Sequence, residues 1–217
     1  MRSDAGVTLR RKDYVSGTSM SHIAPQLRSR LRETRSMRAL RSTIETLRLH
    51  GTSLPEPFCD CFDASPPSNG RWPAGLPTNP HLQDFYAACD GGRLGPYAFL
   101  ALDELATETA ATADWMESMG SEELPQQGLW LVFGHNEFGH TLIWDADRDA
   151  VLLYDSDGGD LWDSDNTSLA YDGSWPGSTG HFTLAQFFDR LVNPPRDSQD
   201  ELTQLWREAL QHLDRFG

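Results

Sequence analysis

Three apolar runs separated by short polar turns constrain this chain more than any other feature. Leu129-Trp-Leu-Val-Phe133, Thr141-Leu-Ile-Trp144 and Ala150-Val-Leu-Leu-Tyr154 are each four or five residues long. They are too short for helices and rich in the branched and aromatic side chains that suit strands. Gly134-His-Asn-Glu-Phe-Gly139 lies between the first two runs, and Asp145-Ala-Asp-Arg-Asp149 between the last two. Connections this short join antiparallel neighbours, so the spacing predicts a three-stranded meander.

Helical patterns flank the meander. Leu27, Leu31, Leu40, Ile44 and Leu47 recur at helical spacing between Ile23 and Leu49, with Pro25 in the first turn and Gly51 as a stop. The polar face of this helix is mostly arginine, which reads as a solvated face or as an attachment to an acidic body. Residues 1–22 read as a disordered basic tail, with Met20 a candidate start. Residues 23–51 read as the Arg-rich amphipathic helix. Residues 52–71 open a Pro-rich stretch that acts as a linker or an irregular wrap. A helix from Pro80 to Cys89 buries Leu82, Phe85 and Tyr86 and ends at Asp90-Gly-Gly92. Tyr97-Ala-Phe-Leu-Ala-Leu102 is a strand, and Asp103 to Met119 a helix with Leu105, Thr109, Thr112, Trp115 and Met119 on one side. Residues 178–182 read as a short edge strand. Thr183 opens a helix through Leu184, Phe187, Phe188 and Leu191 that Pro194-Pro195 closes. Ser198 and Glu201 form a capping box for the last helix, within residues 194–217.

Charge is unevenly spread along the 217 residues. The first fifty hold eleven arginines and lysines against four acids, a surplus of seven; residues 51–217 hold seven basic groups against 28 acidic ones, a deficit of 21. So acidic a body repels nucleic acid and membrane surfaces and attracts basic proteins or cations. No apolar run approaches the ~20 residues of a membrane span, and no secretory leader precedes the fold. Three cysteines are too few for a disulfide framework. Together these traits describe a cytoplasmic protein with reduced thiols.

Two constellations carry possible chemistry. His135 and His140 bracket the first turn with Glu137 between them, a start on a zinc site for a metal-dependent hydrolase, which would need a third ligand and an open position. The bland reading is a pair of surface loop residues, with Gly134 and Gly139 present for positive φ. Asp155, Asp157, Asp160, Asp163 and Asp165 place five carboxylates in eleven positions around Trp162. A helix-loop-helix calcium site wants Gly at the sixth place and Glu at the twelfth, where this chain has Asp160 and Asn166. An acidic docking loop anchored by Trp162 fits better. There is no Gly-x-Ser-x-Gly, phosphate loop or dinucleotide fingerprint. The chain reads as non-catalytic, with no cofactor.

Leu76-Pro77, Asp84-Phe-Tyr-Ala-Ala-Cys-Asp-Gly-Gly92 and Phe99-Leu-Ala-Leu-Asp-Glu-Leu105 resemble the SMI1/KNR4 (SUKH) family. So do Leu131-Val-Phe-Gly-His-Asn-Glu-Phe-Gly-His-Thr-Leu-Ile-Trp-Asp145 and His181-Phe-Thr-Leu-Ala-Gln-Phe-Phe-Asp-Arg-Leu191. The resemblance covers residues 72–193. His140 departs from it, standing where the family often has Asp, and so does the Pro-rich stretch before Leu76. The resemblance implies an α+β domain with an antiparallel sheet backed by helices, extended here by N- and C-terminal helices. It also implies a protein-binding role, as in bacterial immunity proteins that neutralise toxins. Added to the acidic charge, this points to a basic toxin domain, such as a nuclease, bound through Asp155, Asp157, Asp160, Trp162, Asp163 and Asp165. A regulatory or scaffold domain binding a cellular protein is the alternative.

Overall fold

The three apolar runs form the centre of a larger sheet. The computed structural model describes residues 37–118, 128–155, 160–163, 182–196, 198 and 200–215. Its strands are β1 (Phe62–Ala64), β2 (Gly92–Leu94), β3 (Tyr97–Phe99), β4 (Trp130–Asn136), β5 (Thr141–Asp145), β6 (Ala150–Asp155) and β7 (Asp160–Asp163). Each pairs antiparallel with its neighbour in sequence, giving one seven-stranded meander. The helices among the described residues are α1 (37–50), α2 (Pro80–Tyr86), α3 (Leu105–Ser118), α4 (Leu184–Val192) and α5 (Glu201–Leu213). The protein is α+β, an antiparallel sheet backed by helices.

Successive strand residues face opposite sides, and here both sides are covered. Leu131, Phe133, Leu142, Trp144, Val151 and Leu153 join the larger core with residues of α1, α2, α4 and α5. Trp130, Val132, Ile143, Leu152 and Tyr154 form a second core with Met116 of α3. Burial on both faces is why the central strands read as continuous apolar runs. Helix α3 turns differently from its expected face: Met116 is buried, while Trp115 is 48% exposed. Its alanines and threonines gave the periodicity little apolar contrast.

Helix α1 belongs to the larger core. Met37, Leu40, Ile44 and Leu47, spaced three and four apart, are all buried. Two of its arginines hold the body directly. Arg41 pairs with Asp84 of α2 at 3.6 Å, and Arg48 donates to the carbonyl oxygen of Ala88, where a cation also complements the end of α2. The expected apolar positions Leu27 and Leu31 lie outside the described residues.

The Pro-rich stretch does more than link. It supplies β1, whose Asp63 pairs with Arg93 of β2, and the buried Cys61 before it. The Asp-Gly-Gly turn after α2 likewise passes directly into β2. Gly92 has φ +104°, and a Cβ there would sit 1.9 Å from the Asp63 carbonyl oxygen. A residue with a side chain would push β1 off the sheet. Asp90 caps the opposite side of the turn, accepting from the Leu102 amide at 2.7 Å. Strand β7 replaces part of the expected Asp-rich loop. The strand expected at 178–182 lies outside the described residues except for Phe182, whose carbonyl accepts from the Val151 amide at 2.8 Å.

Helices α4 and α5 close the larger core. Thr183 caps α4 in a reciprocal box with Gln186. The cap of α5 is Asp200, not Ser198: Asp200 accepts from the Thr203 amide at 2.6 Å, while the Ser198 hydroxyl accepts from the Asp200 amide at 3.2 Å. Trp206 is buried and donates its indole N–H to the Leu191 carbonyl at 2.7 Å, tying the two helices together. Trp206→Ala is expected to cost roughly 3–5 kcal/mol in a urea unfolding experiment. A loss below about 1 kcal/mol would show that α5 is only loosely attached.

Candidate binding groove at the hairpin tip

The β4–β5 hairpin ends in a tip that Asn136 organises. Asn136 is 4% exposed, and its side-chain oxygen accepts from the amides of Phe138 at 3.0 Å and His140 at 2.9 Å. Asparagine favours such turns because its short side chain can mimic the backbone. The main chain adds Asn136 N–H to the His140 carbonyl at 2.9 Å and Gly139 N–H to the Asn136 carbonyl at 3.1 Å. With the turn held from inside, Phe138 is left 58% exposed. Gly139 supplies a positive φ of 83°. Gly134 has a different role from the one its sequence position implied: a Cβ there would lie 2.5 Å from the Ala98 carbonyl oxygen of β3. It also follows a register shift between Val132 and Gly134, which sets the direction in which the tip leaves the sheet.

The tip faces the start of α5. Pro57, Glu137, Phe138, Asp200, Glu201, Leu202 and Leu205 line a groove of about 530 Å³ between them. Its walls are mixed, with one exposed aromatic ring, proline and leucine surfaces, and three carboxylates. The Glu137 carboxyl lies beside that of Asp200. Burial, then the neighbouring Asp200 charge and the hydrogen bond to it, push Glu137 up to about 7, against an opposing pull from Arg93.

The two histidines do not join this cluster. His135 lies on β4, with Nδ1 3.5 Å from the Thr141 hydroxyl. Burial lowers its pKa, and Glu108 of α3 opposes that shift. His140 instead meets Asn136, with Nδ1 3.3 Å from the side-chain nitrogen. Among the described residues, no group of three or more His, Cys, Asp or Glu side chains is placed to hold a metal ion. Nor do Cys61 and Cys89 offer a ready nucleophile: burial pushes Cys89 up to about 12, and Cys61 is buried.

The expected acidic docking loop is partly strand. Asp155 pairs with Asp160, Leu153 with Trp162, and Leu152 with Asp163 across β6 and β7. Asp157 and Asp165 lie outside the described residues. The structure thus places Asp155, Asp160, Trp162 and Asp163 on the last hairpin of the meander. The groove at the β4–β5 tip adds Phe138, Asp200 and Glu201, which the sequence reading did not assign to a site. Asparagine inside a Gly-bounded turn was the one signal for the tip. The pairing of Glu137 with Asp200 arises only in the folded chain. Compared with protein-family models, curated proteins and solved structures, the chain matches none of them. No helix among the described residues is long and apolar enough to cross a membrane.

Glu137 makes stability depend on pH in a defined direction. Its folded pKa of about 7 exceeds the ordinary value of 4.5, so the folded chain holds this proton more tightly than the unfolded one. Stability is lost as pH rises from 4.5 to about 7 and stays lost above that. Glu137→Gln removes the loss. The variant should melt above the wild type at about pH 8, and the gap should close by pH 4.5. Parallel melting curves across that range would refute the pairing with Asp200.

Proposed function

We propose that the protein is a non-catalytic binding domain that neutralises a basic protein partner, in the manner of an immunity protein against a toxin domain such as a nuclease. The observation that carries this reading is the tip of the β4–β5 hairpin, where an exposed phenyl ring stands among carboxylates. An aromatic anchor ringed by charge suits a protein interface, because the ring supplies buried area and the charges select the partner. Support comes from the deficit of 21 charges over residues 51–217 and from the motifs that resemble the SMI1/KNR4 family. The seven-stranded meander with helices behind it agrees with what that resemblance implies.

Binding would proceed in two stages. The acidic field draws a basic partner in and raises the association rate. The anchors then exclude water and hold it, covering the partner's own working surface. Phe138 provides an exposed ring for such an anchor, and Asp155, Asp160 and Asp163 lie on the strands of the last hairpin.

The test is capture followed by protection. Protein retained from a lysate on the immobilised chain should be basic, should arrest cells when expressed alone, and should cease to do so when this chain is co-expressed. Its association rate should fall by at least about tenfold between low and high salt. A captured housekeeping protein, without any protection, would sink the immunity reading and leave a scaffold in its place.

A further inference from the structure

The groove combines two chemistries that few single side chains can satisfy. Phe138, Leu202, Leu205 and Pro57 offer apolar surface, while Glu137, Asp200 and Glu201 offer negative charge. A purely apolar occupant would bury carboxylates with no partner, which is costly. An acidic occupant would be repelled. Long basic side chains fit both demands, since their stems cover apolar surface and their heads carry charge.

Arginine fits better than lysine. Its planar fork engages carboxylate oxygens two at a time and stacks on aromatic faces, whereas an ammonium is a compact and strongly hydrated point. The half-buried Glu137 carboxyl is hydrogen-bonded to that of Asp200, so two carboxyl groups converge on one side of the groove. A space of about 530 Å³ is within the range of ligand pockets, so it has room for the side chain and part of the neighbouring backbone.

We propose that the groove between the β4–β5 tip and the start of α5 receives an arginine of the basic protein partner, its stem on Phe138 and Leu205 and its guanidinium between Glu137 and Asp200. This rests on the reading of the protein as a binder of a basic partner. The charges facing Glu137 are Asp200 of α5 and Arg93 of β2, and Glu201 lines the same space. The incoming cation takes over the place of the proton held on Glu137. Binding therefore releases a proton and strengthens between about pH 6 and about pH 8.

The probe is an octa-arginine peptide, with octa-lysine and octa-glutamine as controls, titrated into the full chain while backbone amide resonances are followed. Arginine should bind more tightly than lysine, and glutamine should not bind. The shifted amides should be those of Phe138, Gly139, His140, Glu201 and Leu202. Glu137→Gln and Phe138→Ala should each weaken the arginine peptide by at least about tenfold. Phe138 is exposed and glutamine is nearly isosteric with glutamate, so both variants should fold. Asp200→Asn keeps a good helix cap and should also weaken binding. If the peptide binds but shifts only amides of residues 150–155 and 160–163, the groove assignment is overturned while a basic partner remains. If no basic peptide binds, both the groove and the basic partner fall.

Discussion

The fold depends on one cluster of phenyl rings at the centre of the larger core. Phe85 of α2 lies 4.7 Å from Phe99 of β3 and 5.5 Å from Phe188 of α4. Phe133 of β4 meets Phe187 edge-on at 5.6 Å. Four elements far apart in sequence are thereby fixed on one another by tilted, stacked and edge-to-face ring contacts. The meander supplies hydrogen bonds, but these rings decide where the helices sit on it. With Phe133 held from behind, β4 has no freedom to slide, and the direction of its hairpin tip is set from within the core.

The parts of this fold legible in the sequence are those in which burial writes a pattern. Leu82, Phe85 and Tyr86 announced α2, and Leu40, Ile44 and Leu47 announced the inner face of α1, because one side of each helix is apolar and the other is not. The three central strands were legible as runs because both of their faces are covered. Strands β1, β2 and β7 were not. Phe62-Asp-Ala64 and Gly92-Arg-Leu94 are three residues each, with too little sequence to show a period, and they are strands because a neighbour pairs with them. Asp160-Leu-Trp-Asp163 carries the acids of a loop but takes its conformation from β6. Tertiary pairing overrode local preference in all three.

The groove was less legible than the fold for a related reason. Glu137 drew notice only as a companion to two histidines, since those are its neighbours along the chain. Its neighbour in space is Asp200, which sequence reading placed inside a capping box, two positions after the assigned cap Ser198. Nothing in local spacing connects the two. Their proximity follows from Trp206 anchoring α5 against α4 and from the bulge that aims the tip. The negative charge of the body, by contrast, was visible in composition alone, because a field depends on how many charges there are more than on where each one sits.

The indole of Trp206 has a consequence for how the chain is made. It fills the space beneath the β2–β3 turn, where a Cβ on Gly95 would lie 2.6 Å from the ring, and it comes from the final helix. During synthesis the sheet strands emerge in the order in which they pair, so the meander can assemble as it appears. The part of its larger apolar face that Trp206, Ala209 and Leu213 cover, however, stays open until α5 has cleared the ribosome. For that interval the nascent chain exposes the surface most prone to association with other chains. Translation speed over the last helix therefore bears on how much of the protein reaches its folded state.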